Sequence, residues 1–233
     1  MGVGVTTGMV AKLERDRPLL AQVGTADRVA ALLRDNITEG VFPPGTRLSE
    51  EAIGQALGVS RNTLREAFRL LCHERLAVHE LNRGIFVPVL TSEDVVDLYR
   101  LRRLVEGGAA RMADQASAAA RQALAAAVAD AEAASAAGDW EAVRSADLHF
   151  HQAIAALAGS PRLDELMRHA LAELRLVFHV MADPERFHRP FVARNKVIAQ
   201  LIEAGDGAAA EQELLGYLAD AERQLLAAYQ ARG

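Results

Sequence analysis

Three arginines, Arg61, Arg65 and Arg69, recur at i, i+4 and i+8 and therefore share one face of a helix, with Glu66 the single acid among them. Leu64, Ala67, Phe68 and Leu71 fall on the opposite side and can pack that helix down. Ser60, Asn62 and Thr63 add hydrogen-bonding groups at its start, where free backbone amides also favour a phosphate. Guanidinium groups fork onto phosphates and guanine edges, so the stripe suits the reading of a DNA groove. A solvated arginine stripe on a surface helix has the same spacing, and spacing alone leaves both readings open. A second constellation is Asp147 and His151, one helical turn apart, with His149 pointing nearly opposite. A carboxylate and an imidazole so placed can hold a divalent metal if other helices bring further ligands. They can equally form a buried hydrogen bond inside a bundle.

The elements that position these residues follow from local signals. Residues 1–24 are expected to be a mobile tail. Val29, Leu32, Leu33 and Ile37 predict a helix from Thr25 to about Asn36, broken by Gly40-Val-Phe-Pro-Pro-Gly45. Ser49 caps a short helix over Glu50–Leu57, Gly58-Val59-Ser60 is a tight turn, and Ser60 caps the arginine-bearing helix to about Arg75. A small hairpin follows, Val78–Glu80 and Ile85–Val87 around a turn at 81–84. After Thr91 strand signals vanish, and six helices are expected. They run from Ser92 to Asp114, from about Ser117 to Ala137, from Asp139 to Ala158 and from Pro161 to near Asp183-Pro184. The last two run from about Pro190 to Ala204 and, following Gly205-Asp206-Gly207, to the C-terminus. Every proline after residue 88 is thereby placed at a helix boundary. The expected fold is mainly α: an N-terminal winged helix-turn-helix over 25–90, then an antiparallel six-helix bundle over 91–233.

Composition agrees with this outline. Hydrophobic residues make up 51%, charged residues 24% and aromatics 5%, a globular balance that favours helices over sheets. Net charge is −5, yet residues 25–90 hold 8 Arg against 8 acids and residues 91–233 hold 15 basic against 21 acidic groups, so the acidity lies in the bundle. One cysteine, Cys72, excludes an intrachain disulfide and fits a reducing compartment. The first ten residues carry no basic region, and no run of about 18 apolar residues occurs, so a cytoplasmic protein with no membrane span is expected.

The stretch Gly40-x-x-x-Pro-Gly-Thr-Arg-Leu-Ser-Glu50, with Leu57-Gly-Val-Ser-Arg-x-Thr-Leu-Arg-Glu-Ala67 and Asn82-Arg-Gly84, closely resembles the DNA-binding domain of the GntR family of bacterial transcription regulators. The resemblance implies phosphate and base contacts from Arg47, Arg61, Arg65 and the start of the recognition helix (Ser60, Asn62, Thr63). It places Gly84 in a wing tip near the minor groove and Arg83 beside it, within reach of phosphate. Asn62 stands where relatives vary, so it helps to set which operator is read.

The second half resembles the FCD ligand-binding domain of the FadR subfamily, in its shorter, VanR-like branch. The matching residues are Arg102, Glu106 and Ala109-Ala110, Asp147-x-x-Phe150-His151, Gly159-x-Pro161-Arg-Leu163, and Ile198-x-x-x-Ile202-x-x-Gly205-Asp206. In many such domains an Asp and three His bind a metal that holds a small carboxylate effector. This chain departs from that pattern: the third ligand position is Asn195 and the fourth is Tyr217. Both lie on core-facing stripes, Asn195 with Ile198 and Ile202, Tyr217 with Leu214 and Leu218. His179 or His188 can substitute only from outside the family positions. The expectation is therefore a direct hydrogen-bonding pocket of Asp147, His151, Asn195 and Tyr217, with a divalent metal (Zn, Ni or Mn) on Asp147 and His151 as the alternative. Arg102, or secondarily Arg175, pairs an effector carboxylate, unless Arg102 is taken by a salt bridge to Glu106.

Together these features imply a homodimeric, operator-binding repressor that reads a palindrome and responds to a small organic acid. The competing readings are a metal-dependent enzyme or a metal sensor built on the bundle. No HExxH, Gly-rich phosphate loop or obvious nucleophile supports an enzyme.

Overall fold

The computed structural model describes residues 7–16, 25–178, 181 and 183–231. The chain folds as two compact units, residues 1–90 and 91–233. In the first unit the order is α1 (Thr7–Asp16), α2 (Thr25–Thr38), α3 (Glu50–Leu57), α4 (Arg61–His73), β1 (Val78–Glu80) and β2 (Gly84–Phe86). Helix α1 lies inside the stretch expected to be a mobile tail. It packs on α3 with Met9 and Val10 half-buried, and Lys12 Nζ stands 3.5 Å from Glu39.

Helix α3 starts where the Ser49 hydroxyl accepts from the Ala52 amide at 3.3 Å and stops at Gly58, whose φ of 65° is the left-handed conformation that suits glycine. Helix α4 starts in the same way, the Ser60 hydroxyl accepting from the Thr63 amide at 3.1 Å. Leu64, Ala67, Phe68 and Leu71 of α4 are buried, packing with Leu33, Ile37, Phe42 and Ile53 into one core. β1 and β2 pair antiparallel, Val78 opposite Phe86 and Glu80 opposite Gly84. The second strand thus begins one residue earlier than the sequence pattern suggested. A third segment joins them: the Leu48 amide donates to Ile85 O at 2.8 Å and the Val87 amide to Thr46 O at 2.9 Å, which fixes Arg47 beside the hairpin.

The second unit holds α5 (Ser92–Arg111), a short 3-10 turn (Ala113–Gln115), α6 (Ala118–Ala137), α7 (Trp140–Ala156), α8 (Pro161–Val177), α9 (Pro184–Glu203) and α10 (Gly207–Gln230). Thr91, not Ser92, caps α5, in a reciprocal box with Asp94. Helix α9 begins at Pro184 and carries Pro190 in its second turn, so that proline does not mark a boundary. Asp183 caps the helix and Pro184 takes its first position, where a missing amide costs nothing. The buried Phe187, Phe191 and Asn195 hold the following turns in register despite Pro190.

Helix α7 is central, packing against α5, α6, α8 and α9, while α10 lies along α5 and α9. Most of the α7 circumference is buried, which forces its polar residues inward. The start of α10 abuts the end of α5 so closely that a Cβ on Gly207 would lie 2.4 Å from the Arg111 carbonyl oxygen.

Candidate nucleic-acid interface and buried polar cluster

Helix α4 turns its arginines to solvent. Arg61, Arg65 and Arg69 are exposed, as are Ser60 and Asn62, while Thr63 is half-buried against the Ser60 hydroxyl at 2.9 Å. Arg65 stands 3.7 Å from Glu50 and Arg69 donates to Glu66 at 2.9 Å. Both pairs are solvent-facing and exchange readily for phosphate, because exposed ion pairs are worth only about 0–1 kcal/mol. The arginines line a cleft of about 730 Å³ whose other wall includes Arg47 and Gly84 of the hairpin region.

Gly84 has a φ of 109°, and a Cβ there would approach Arg47 Nε to 3.4 Å. Asn82, with a φ of 61°, completes the turn. Arg83 pairs with Glu80 and lies over the Phe86 ring, its guanidinium carbon 5.2 Å from the centroid. The structure therefore brings Arg47, Arg61, Arg65 and Gly84 to one cleft, with Arg47 and Arg83 also sharing a smaller hollow beside Phe86.

In the bundle, four helices converge on one buried polar cluster. From α7, Asp147 accepts at Oδ1 from Tyr217 Oη of α10 at 2.8 Å and from Asn195 Nδ2 of α9 at 2.9 Å. His151, one turn on, places Nε2 at 3.2 Å from the same Tyr217 hydroxyl. Its Nδ1 donates to Glu106 Oε2 of α5 at 2.6 Å. The other oxygen of Glu106 accepts from Arg102 Nε at 2.7 Å. The chain of contacts is continuous from Arg102 through Glu106, His151 and Tyr217 to Asp147 and Asn195, and every member is buried. The four residues expected to form a hydrogen-bonding pocket do meet.

Electrostatics decide the protonation states. Burial raises the Glu106 carboxyl, but the charges of Arg102 and His151 and their hydrogen bonds outweigh it, so its pKa lies below the usual range. Asp147 is likewise pushed up by burial and held below its ordinary value by His151, His188 and the donors Asn195 and Tyr217. Burial and the neighbouring Asp147 raise Tyr217 well above a free phenol, so its proton stays on oxygen. Arg102 stays charged: burial lowers its pKa, but Glu106 more than restores it. Its guanidinium carbon lies 4.8 Å from the centre of the Tyr99 ring, and Nη2 has no hydrogen-bond partner.

Three further residues border the cluster. His188 of α9 lies with Nδ1 3.9 Å from Asp147 Oδ2 and without a hydrogen bond. Arg144 pairs with Glu141 while its buried Nε is unpartnered. Arg175 donates through Nη2 to Ser145 Oγ at 3.1 Å and Glu141 Oε1 at 3.3 Å. His179 lies outside the described residues. Sequence reasoning paired Glu106 only with Arg102 and missed that it is also the acceptor for His151. Tyr99, three residues before Arg102 and so on the same face, was the available signal for a ring beside the guanidinium. Among the described residues, no three His, Cys, Asp or Glu side chains are grouped so as to hold a metal ion.

Comparison with known proteins matches the two units to two family models: residues 25–87 to "Bacterial regulatory proteins, gntR family", and residues 97–220 to the FCD domain. The chain is 48% identical to a putative GntR transcriptional regulator from Rhodococcus sp. RHA1 of known crystal structure, covering 89% of this chain and 100% of that one with a TM-score of 0.83. It is 27% identical over 225 residues to the galactonate operon transcriptional repressor of Escherichia coli K12, covering 85% of this chain and 96% of that protein. It is 37% identical over 87 residues to the gluconate operon transcriptional repressor of Bacillus subtilis, 37% of this chain and 35% of that protein. In several such curated matches the chain spans only about a third of the relative's length: 31%, 35% and 35%.

Proposed function

Because the chain belongs to the gntR family of bacterial regulatory proteins and carries an FCD domain, we propose that it is an operator-binding transcriptional repressor whose bundle receives a small organic acid. The observation that carries the DNA half is the exposed arginine face of α4 with Arg47 and Gly84 across the same cleft. Ser60, Asn62 and Thr63 stand at the helix start, where a recognition helix meets base edges. Arg47, Arg61, Arg65 and Arg83 supply phosphate and base contacts, and Gly84 lets the wing approach the minor groove. One such module reads a short half-site, so the working form is a homodimer on a palindrome. With an acidic bundle, affinity rests on these local arginines and falls steeply with salt.

The bundle half rests on Arg102. It is a buried guanidinium whose Nη2 has no hydrogen-bond partner, and the same bundle interior holds two further buried atoms without one, Asn195 Oδ1 and His188 Nδ1. A carboxylate pairs with the first, and hydroxyl groups satisfy the other two. Arg175 serves at most at the rim, since Glu141 and Ser145 already engage it. The matched repressors named for galactonate and gluconate operons make aldonates the first acids to try.

The test is fluorescence anisotropy with DNA from the promoter region of the gene itself. Sequence-selective binding is expected. Arg61→Ala and Arg65→Ala are each expected to weaken it about tenfold, the scale of one good base or phosphate contact. Sequence-indifferent binding by the native chain, or full affinity in the double variant, would end this reading. D-gluconate and D-galactonate are then titrated into the complex, and release of DNA identifies the ligand class.

A further inference from the structure

We propose that the bundle site of this chain works without a divalent cation, the hydrogen bonds of Asn195 and Tyr217 to Asp147 standing in for the metal that the Asp-and-three-His pattern would bind. The inference concerns the ligand site of the function proposed above. Its metal test, however, does not depend on whether the protein binds DNA.

The donor set does not fit a metal. Asp147 Oδ1 is occupied by two hydrogen bonds, at 2.8 and 2.9 Å. A carboxylate can only accept, so the Asn195 amide nitrogen, which is no metal ligand, must be the atom that faces it. Tyr217 offers a protonated hydroxyl in place of an imidazole, and a neutral phenol is a poor ligand. Glu106 is spent on Arg102 and His151. That leaves Asp147 and His151 as the family-position residues able to ligate, short of the three or four protein ligands that a bound divalent metal needs.

The chain instead satisfies Asp147 with neutral donors and keeps Arg102 as its resident cation. The oppositely charged Arg102–Glu106 pair leaves one guanidinium edge open, a point of attachment for an anion that requires no chelation. A regulator built this way reports the organic ligand alone, whatever the supply of free metal.

The experiment uses untagged full-length protein purified without chelator and equilibrated with Zn²⁺, Ni²⁺ or Mn²⁺ alone, followed by gel filtration and elemental analysis. The native chain is expected to retain well under one equivalent, and metal is expected to leave its melting temperature unchanged. The Asn195→His/Tyr217→His variant, which restores three histidines around Asp147, is expected to retain roughly one equivalent that EDTA strips. If that variant fails to fold by circular dichroism, the single Asn195→His chain takes its place, since two His and one carboxylate already suffice for zinc. Near-stoichiometric metal on the native chain, lost in Asp147→Ala, would overturn the proposal, and its additional loss in His188→Ala would identify the substitute ligand. A folded histidine variant that takes up no metal would equally overturn it, because positions 195 and 217 would then not be what excludes the ion. Operator binding is read on the same samples, so a failure of the regulator reading is seen separately.

Discussion

Neutralising Glu106 tests the central claim about the bundle, that its polar interior is held by one carboxylate between two positively disposed partners. Glu106 has no exposed surface and receives Arg102 Nε at 2.7 Å and His151 Nδ1 at 2.6 Å. In Glu106→Gln the amide keeps one oxygen, enough for one of the two donors, and turns an NH₂ toward the other. If the oxygen stays with Arg102, His151 can move its proton to Nε2 and accept at Nδ1, which preserves a hydrogen bond but leaves the guanidinium without a counter-charge. Breaking a buried pair by removing one partner costs about 3–5 kcal/mol, and the retained hydrogen bonds place this variant at about 3. Trp140, the chain's one tryptophan, lies in the first turn of α7, so its fluorescence during urea unfolding reports the bundle unit specifically. Arg102→Met should also destabilise by leaving Glu106 short of a partner. Arg102→Met with Glu106→Gln should cost less than the sum of the two by about 1–3 kcal/mol, because neither charge is then abandoned. A loss below about 1 kcal/mol in Glu106→Gln, or strict additivity in the cycle, would refute the argument.

Gly207→Ala places a Cβ 2.4 Å from the Arg111 carbonyl oxygen, so the α5–α10 junction must move; a loss of about 1–3 kcal/mol in the same Trp140 assay is expected, while Gly108→Ala, with open space at its Cβ, should stabilise slightly. Burial lowers the His188 pKa below its ordinary 6.5, and Asp147 only partly opposes this. As pH falls through about 6.5 the unfolded chain therefore takes up a proton that the folded chain refuses, and stability declines by at most about 1.4 kcal/mol per pH unit. His188→Phe, packed beside the Phe178 and Phe187 rings, should remove that limb of the stability–pH curve between pH 7.5 and 5.5. Asp147 and Glu106 have folded pKa values below their ordinary 3.8 and 4.5, so the stability they contribute is lost only as pH falls through those values and below.

What could be read in advance depended on how far apart the deciding residues lie along the chain. Helix α3 was legible to the residue because its start and stop signals, the Ser49 hydroxyl and the left-handed Gly58, are local. The arginine face of α4 was legible for the same reason, its period lying within the thirteen residues of the helix and its cap, Ser60, immediately before them. Helix α1 was not, since the helix it packs against, α3, lies some forty residues later. Pro190 misled because the rule against proline in a helix is local, whereas the aromatic packing that carries α9 past it is not. In the cluster, the stripes told that Asn195 and Tyr217 face inward, and the one-turn spacing that Asp147 and His151 share a face. That Tyr217 bonds to Asp147 across 70 residues, and that Glu106 serves His151 across 45, is a product of packing and left no trace in spacing.

The cluster draws two of its residues, Arg102 and Glu106, from the first helix that follows the DNA-binding unit in the chain. Helix α5 starts at Ser92, immediately after that unit ends at residue 90, and carries Arg102 about 15 Å along its axis. In the proposed function, an anion at the unpartnered edge of Arg102 would compete for the guanidinium that Glu106 now holds, and Glu106 in turn bonds His151 on the central α7. On that proposal, ligand entry would alter contacts between α5 and α7, two packed helices. Such a change reaches the operator only if the ligand prefers one arrangement of α5, because a ligand with equal affinity for both shifts nothing. The Arg102–Glu106 pair is buried away from bulk solvent, so an acid on the ligand and the acid on the protein would compete for the guanidinium with little screening. In the proposed function, the residue that would anchor the ligand, Arg102, also lies on α5, the first helix after the DNA-binding unit in the chain.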